Sequence, residues 1–369
     1  MKSVCLILEA SEPLALNWYW PEYGYKSTEP YSLYFNTERR EKSYKKHVKA
    51  SYAPVNDLLL KLISENGAKF SLNLTGNFLD MCTGDESTSE QIAGLVDTGH
   101  VEILGTPYYN NLSCFYASLD DFKQTVEMHR KTVSNRFGYY PHTFANAELI
   151  FDERISRMVK DLGFTRAIMQ SDVLDPRFGF HTESGVLGMA VHPSLSADVM
   201  HRFSDRSWVC YPLIAEKYAS WISGIDGEVT VLYLDYNTFG LRHPEKSGIF
   251  KFLAALPRAL NRYGLEMIKP SEYAGSEIGY YRFYDAVARR PIKDILGNHM
   301  QHLYYNEIKR MEGRVKQCGP EYLDIWRRLQ SIDVLSGMTV NKPWYPWDKA
   351  ISNLLLLSDF NRRLIEAIP

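Results

Sequence analysis

Along the first two thirds of the chain, short apolar runs alternate with stretches of helical period. Seven runs have the length and the β-branched or aromatic content of buried strands: 4–9, 69–74, 101–105, 143–147, 166–170, 188–192 and 229–235. Between them, segments such as 54–65, 89–98, 120–134 and 152–162 repeat apolar residues every three or four positions, as helices with one buried face do. This alternation predicts a parallel α/β fold. Seven strands before residue 240 favour a barrel over a short open sheet.

Near residue 285 the strand pattern stops and helical stretches fill the chain to its end. In the first, Leu296, Met300, Tyr304, Ile308, Met311 and Val315 form one apolar stripe, which Gly319-Pro320 ends. Two further helices are expected at 321–337 and 348–368, and the segment Trp344-Tyr345-Pro346-Trp347 is the most irregular stretch. The expected division is a barrel over 1–280 and a helical domain over 281–369, packed beside the barrel mouth.

The length of 369 residues suits one barrel with an added module. A net charge of −2 implies neither a nucleic-acid nor a membrane-surface partner, and the Lys42 to Lys49 stretch reads as a solvated face. No run is long enough to span a bilayer, and the apolar residues 4–8 meet Glu9, Glu12 and Pro13 too soon for a signal peptide. The five cysteines, Cys5, Cys82, Cys114, Cys210 and Cys318, are odd in number and widely spaced, which predicts reduced thiols in the cytoplasm. His299 and His302 have a spacing that a metal could use, yet lack matching acidic or cysteine partners, so a helix face is expected there. The glycine near Thr75-Gly76-Asn77 forms no phosphate-binding loop.

Barrel enzymes carry their chemistry at the C-terminal ends of strands. Glu148 and Asp235 end two of the predicted strands, and Glu9 and Glu102 are strand-associated acids that could join them. Two carboxylates in one pocket are what glycoside hydrolysis needs, one to attack the anomeric carbon or activate water and one to protonate the departing oxygen. Position alone leaves open that these acids cap the following helices.

Asn146-Ala147-Glu148-Leu149-Ile150 resembles the nucleophile segment of glycoside hydrolase family 57, particularly its α-amylase-like branch. Asp235-Tyr236-Asn237-Thr238-Phe239-Gly240 resembles its acid/base segment. Gly99-His100-Val101-Glu102-Ile103-Leu104-Gly105 with Tyr108-Tyr109 is similar to its third-strand motif, and Leu296-Gly297-Asn298-His299-Met300-Gln301 and Ile325-Trp326-Arg327-Arg328-Leu329-Gln330 to its C-terminal helices. The resemblance implies a (β/α)7 barrel with a C-terminal helical domain, no metal or organic cofactor, an α-glucan substrate, and a retaining mechanism with Glu148 as nucleophile and Asp235 as acid/base.

Departures from the family pattern gather around the expected substrate. Ser11-Glu12-Pro13 stands where His-Gln-Pro is usual, Asn110 replaces a histidine, Asn237 a glutamate, and Leu241-Arg242 a Glu-His pair. Arg242 would place a fixed cation where the family has a titratable ring. His243 is read either as a substitute for that histidine or as a solvated loop residue, and Asp285 either as a cleft residue or as a helix N-cap. Glu102, Asn146 and Tyr236 complete the expected substrate-binding set within the motifs, and Trp18 and Trp20, in a Tyr-rich loop, are expected to offer a sugar platform. A retaining pair requires carboxyls about 5 to 5.5 Å apart, Glu148 ionised and Asp235 protonated. The alternative is a catalytically silent carbohydrate-binding or regulatory homologue. A polysaccharide deacetylase would need a metal-binding Asp with spaced histidines, a set this chain does not display.

Overall fold

The computed structural model describes residues 2–20, 29–170, 174–275, 279–289, 292–339 and 347–368. Its strands are β1 (Lys2–Ala10), β2 (Phe70–Leu74), β3 (Val101–Ile103), β4 (Thr143–Ala145), β5 (Arg166–Met169), β6 (Gly179–Thr182), β7 (Leu187–Ala190), β8 (Val229–Asp235), β9 (Leu265–Met267) and β10 (Gly279–Tyr281). Seven of them close a parallel ring in the order β1, β2, β3, β4, β5, β7, β8 and back to β1. The register of β1 with β8 runs from Ser3 opposite Val229 to Glu9 opposite Asp235, and that of β1 with β2 from Ile7 opposite Ser71 to Ala10 opposite Leu74. Continuous ladders join β2 to β3, β4 to β5 and β5 to β7, and single parallel bridges, Gly105 to Phe144 and Val191 to Val231, close the two remaining joints. The fold is therefore a (β/α)7 barrel with a C-terminal helical region.

All seven expected strands are present. The three additional ones include half-buried or exposed residues and so lack a buried apolar run: β6 turns back antiparallel on β7, β10 adds to β6, and β9 lies along the first residues of β1. Alternation along each strand splits the core in two. Val4, Leu6 and Leu8 point outward into the layer shared with the helices, as do Leu232 and Leu234. Cys5, Ile7, Val229, Val231 and Tyr233 point into the barrel, where Leu104, Ala145, Ile168 and Met189 meet them. By the same period Glu9 and Asp235 fall on the inward face, at the last level before the strands end.

The chain divides into two compact units, 1–11 with 44–108 and 123–289, and 12–43 with 109–122 and 290–369. This differs from the single cut expected at residue 280, because the segments following β1 and β3 contribute aromatic residues to the second unit. Within that unit, Tyr34 donates to Asp359 (2.8 Å), Tyr109 to Asp324 (2.8 Å) and Tyr116 to Gln330 (2.6 Å). The expected apolar stripe is real: Tyr304, Ile308, Met311 and Val315 are buried, together with Trp326, Leu356 and Phe360. The expected helix over 321–337 is in fact two, Pro320–Leu329 and Ile332–Ser336. They separate at Ser331, which pairs with Asn111 and whose hydroxyl caps Asp333 N–H. The last helix is Trp347–Ala367, and residues 344–346 lie outside the described ones. All five cysteines are free thiols, and no helix among the described residues is long and apolar enough to cross a membrane.

Candidate active site

Glu148 follows β4 in a single tight turn. The Asn146 side chain shapes it, accepting from Ala147 N–H (2.8 Å) and donating to the Ile150 carbonyl (2.9 Å). Between those two anchors, Glu148 and Leu149 both adopt left-handed backbone, at φ 51° and 54°. Non-glycine residues pay on the order of 1 kcal/mol or more for that conformation, and such strain concentrates where a side chain must be aimed. The turn is held from a distant part of the chain: Arg289 N–H donates to the Glu148 carbonyl at 2.6 Å, and Phe151 and Val287 exchange two backbone bonds of 2.9 Å.

The same arginine reaches two more carboxyls. Glu9 and Asp235 end adjacent parallel strands as register partners. Arg289 spans them, with Nη1 on Glu9 Oε2 at 2.9 Å and Nη2 on Asp235 Oδ1 at 2.8 Å. It also lies 5.4 Å from the centre of the Tyr233 ring. Arg242 takes the other oxygen of Asp235, Nη2 to Oδ2 at 3.2 Å, and its Nη1 donates to Met200 O (3.3 Å) and His201 Nδ1 (3.2 Å). One level away, Asn73 donates to the Tyr233 hydroxyl at 2.6 Å.

Burial alone would raise the Asp235 carboxyl, but Arg289, through its charge and its hydrogen bond, and Arg242 outweigh that and hold it below the ordinary carboxylate value. Glu9 goes the opposite way. Burial pushes it up, Arg289 pulls it down, and the neighbouring Asp235 and Glu148 charges add to the rise, which reaches about 7. Burial pulls the Arg289 guanidinium down, yet Asp235 and Glu9 more than compensate and keep it protonated. His201 is lowered by burial and by Arg242, consistent with a neutral ring accepting at Nδ1. Two guanidiniums thus favour the ionised form of Asp235, opposite to the protonated form expected of an acid/base.

The other expected residues divide. Arg242 lies on Asp235 as anticipated. Asn237, whose carbonyl accepts from Arg242 N–H, keeps its Oδ1 buried with no hydrogen-bond partner among the described residues. Ser11 is half-buried and its carbonyl accepts from the Tyr52 hydroxyl. Asn146 serves the backbone of the Glu148 turn rather than presenting a free amide. Tyr236 is core, donating to Asn56 Oδ1 (2.8 Å) with its ring against Tyr52. His243 is buried rather than solvated, with both ring nitrogens engaged by Ser204 and the Met200 carbonyl, and burial lowers its pKa. Glu102 is fully buried, with Oε2 accepting from Ser271 N–H; as the register partner of Ser71 it lies two residues below the level of Glu9. Asp285 is exposed in an irregular segment and caps no helix.

Glu12, Trp18, Trp20 and Asn110 belong to the second unit. There Trp18 and Trp20 are exposed, Glu12 is buried, and Asn110, at φ 49°, accepts from Ile332 N–H. His299 and His302 are both exposed on the helix His299–Arg310. Sequence reasoning missed Arg289, His201 and Met200. Arg289 had one faint signal, as the first of the pair Arg289-Arg290 directly after the apolar Ala286-Val287-Ala288.

The profile of the family described as Glycosyl hydrolase family 57 matches residues 5–287. A protein of Methanocaldococcus jannaschii described as "Putative alpha-amylase" is 30% identical over 397 residues, covering 98% of this chain and 84% of that protein. Among solved structures, a GH57-type branching enzyme from Pyrococcus horikoshii is 11% identical with a TM-score of 0.73, covering 97% of this chain and 88% of its own. The 4-alpha-glucanotransferase from Thermococcus litoralis is 12% identical with a TM-score of 0.69; it covers 98% of this chain, which spans 58% of that enzyme. Likeness to the two solved structures, at these identities, is likeness of fold.

Proposed function

We propose, from the premise that this chain belongs to glycosyl hydrolase family 57, that it is a retaining enzyme cleaving or transferring α-linked glucose units. Glu148 is the nucleophile of this reading and Asp235 the second carboxylate of the catalytic pair. The observation that carries it is the convergence of three acids on one arginine: Glu9 and Asp235 as register partners at the strand ends, and the Glu148 turn bound through its carbonyl to Arg289. A retaining mechanism needs one ionised carboxylate to attack C1 and one carboxyl to release the leaving oxygen. Asn237 Oδ1, buried without a hydrogen-bond partner among the described residues, is suited to accept from a sugar hydroxyl.

A second reading is favoured by one observation. Both oxygens of Asp235 are taken by guanidiniums, which is how a family member would look that kept the fold and lost turnover. Incubation with a panel of α-glucans and maltooligosaccharides, with products resolved by size, separates the two. Shorter products alone indicate hydrolysis and redistribution to longer ones indicates transfer, whereas an unchanged panel favours the silent homologue.

A further inference from the structure

We propose that Arg242 selects the substrate: it receives an anionic group, a phosphate or carboxylate borne by the glucan, and releases Asp235 as it does so. This rests on reading the site as a retaining glycosidase centre with Asp235 as acid/base. Two arginines hold Asp235, and they are not equivalent. Arg289 is fixed, with Nη1 on Glu9 at 2.9 Å, Nη2 on Asp235 at 2.8 Å, its guanidinium against the Tyr233 ring and its backbone N–H on the Glu148 carbonyl. Arg242 holds by longer bonds, 3.2 Å to Asp235, 3.3 Å to the Met200 carbonyl and 3.2 Å to His201 Nδ1. Its side chain is 38% exposed, against 23% for Arg289.

Those bonds use Nη1 and one N–H of Nη2. The Nε–H and the second Nη2–H of Arg242 have no partner among the described residues. Arg242 is thus a half-exposed cation with donors to spare beside the carboxylate that works on the substrate, and phosphates and carboxylates are the groups a guanidinium binds best. Local structure keeps it in place. The turn Asp198–Arg202 is π-helical, and the Met200 carbonyl within it accepts from both Arg242 and His243 Nε2. Anchored there through Nη1, Arg242 can turn Nη2 from Asp235 to an incoming anion without leaving the site.

This exchange lets an ionised Asp235 serve as an acid. Facing it are Arg289, Arg242, His201 from the π-helical turn, Glu9 from β1 and Tyr233 from its own strand, with Glu148 beside Glu9. Burial favours the protonated carboxyl, and the two arginines oppose it. Once the anion engages Arg242, one of those opposing charges is spent elsewhere and Asp235 takes a proton from solvent. As C1–O to the leaving sugar breaks, that oxygen keeps the bonding pair and takes this proton, while a Glu148 oxygen forms the new bond to C1. A neutral glucan leaves Arg242 on Asp235 and is turned over more slowly.

Calorimetric binding to Glu148→Gln, which removes turnover, tests the selection. The probes are maltooligosaccharides, the same compounds phosphorylated at C6 of one glucosyl unit, and the same oxidised there to a carboxylate. One anionic series should bind at least about tenfold tighter than the neutral one, and whichever does so identifies the anion. Adding Arg242→Leu should abolish that preference, and Arg242→Lys should keep part of it. Equal binding of all three series, or a preference that survives Arg242→Leu, overturns the proposal. Carbon-13 NMR of Asp-labelled protein, with the Asp235 signal identified by its loss in Asp235→Asn, tests the release. In Glu148→Gln, saturation with the preferred glucan should move the Asp235 titration to higher pH, and Arg242→Leu should do so without ligand. An Asp235 titration unmoved by saturation overturns the release, and this reading stands even if Arg242→Leu fails to fold. In turnover of neutral maltooligosaccharides, the alkaline limb of kcat/KM should shift up by about one pH unit in Arg242→Leu, a change that a merely structural role would not produce. A parent that turns over neither neutral nor anionic glucans refutes the reading of function, while the calorimetry still decides whether Arg242 selects an anion.

Discussion

Glu148 is aimed by strained backbone, and its carboxylate is the attacking group of the proposed mechanism. Glu148→Gln preserves size and backbone demand while removing the nucleophile, so turnover should fall by at least about 10³-fold with the unfolding midpoint unchanged. Steady-state rates and a urea titration check both halves of that expectation. Glu9 makes a separate prediction about stability. Its carboxyl binds the proton more tightly folded than unfolded, so its contribution is complete below the unfolded carboxyl's ordinary value of 4.5 and is lost as pH rises through about 7. The loss is at most about 3 kcal/mol, discounted for the coupling to Asp235. Glu9→Gln should therefore decline less between pH 5 and pH 8 than the parent; parallel declines in urea unfolding at the two pH values would show that Glu9 is not raised.

At the scale of elements, the segment after β8 depends on Gly240. Its φ is 97°, and a Cβ there would lie 1.7 Å from the Ala50 carbonyl oxygen, so Gly240→Ala should destabilise by at least about 2 kcal/mol. In the second unit, Arg327 donates twice to the buried Asp121, at 2.8 and 2.6 Å. Arg327→Met should cost about 3–5 kcal/mol by stranding that carboxylate, and the double variant Arg327→Met/Asp121→Leu should recover most of it, as read by chemical denaturation. Elements were also where the sequence was most legible. Seven buried strands announce themselves because the chain around each carries a largely apolar run, whereas β6, β9 and β10 include half-buried or exposed residues and lie in no such run. Adjacency in a motif misled for Tyr236. Neighbouring residues of a strand end face opposite ways, so its ring enters the outer core while Asp235 faces inward. His243 and Glu102 are polar for internal reasons, a helix-terminal carbonyl and a backbone N–H, that no local pattern displays.

At the scale of the whole molecule, the site is a product of chain closure. Arg289 lies 280 residues from Glu9 and 54 from Asp235, and only the closed barrel brings the three together. Motif resemblance could therefore mark Glu148 and Asp235 but not the cation that pairs with Glu9 and Asp235. The division of the chain follows the same logic, since 12–43 and 109–122 are recruited by helices that lie far along the sequence. The central claim, that Glu148 is the nucleophile of a retaining α-glucan enzyme, is tested most directly with a 5-fluoro-α-glucosyl fluoride. Its fluoride leaves without a proton, and its ring fluorine slows release of the glycosyl-enzyme, so the intermediate accumulates for mass spectrometry of the intact protein and its peptides. The account predicts a mass gain of one fluoroglucosyl unit, confined to the peptide containing residues 146–150 and absent in Glu148→Gln. Consumption of the reagent with no adduct on Glu148, or an adduct on Asp235 or Glu9 instead, would contradict it.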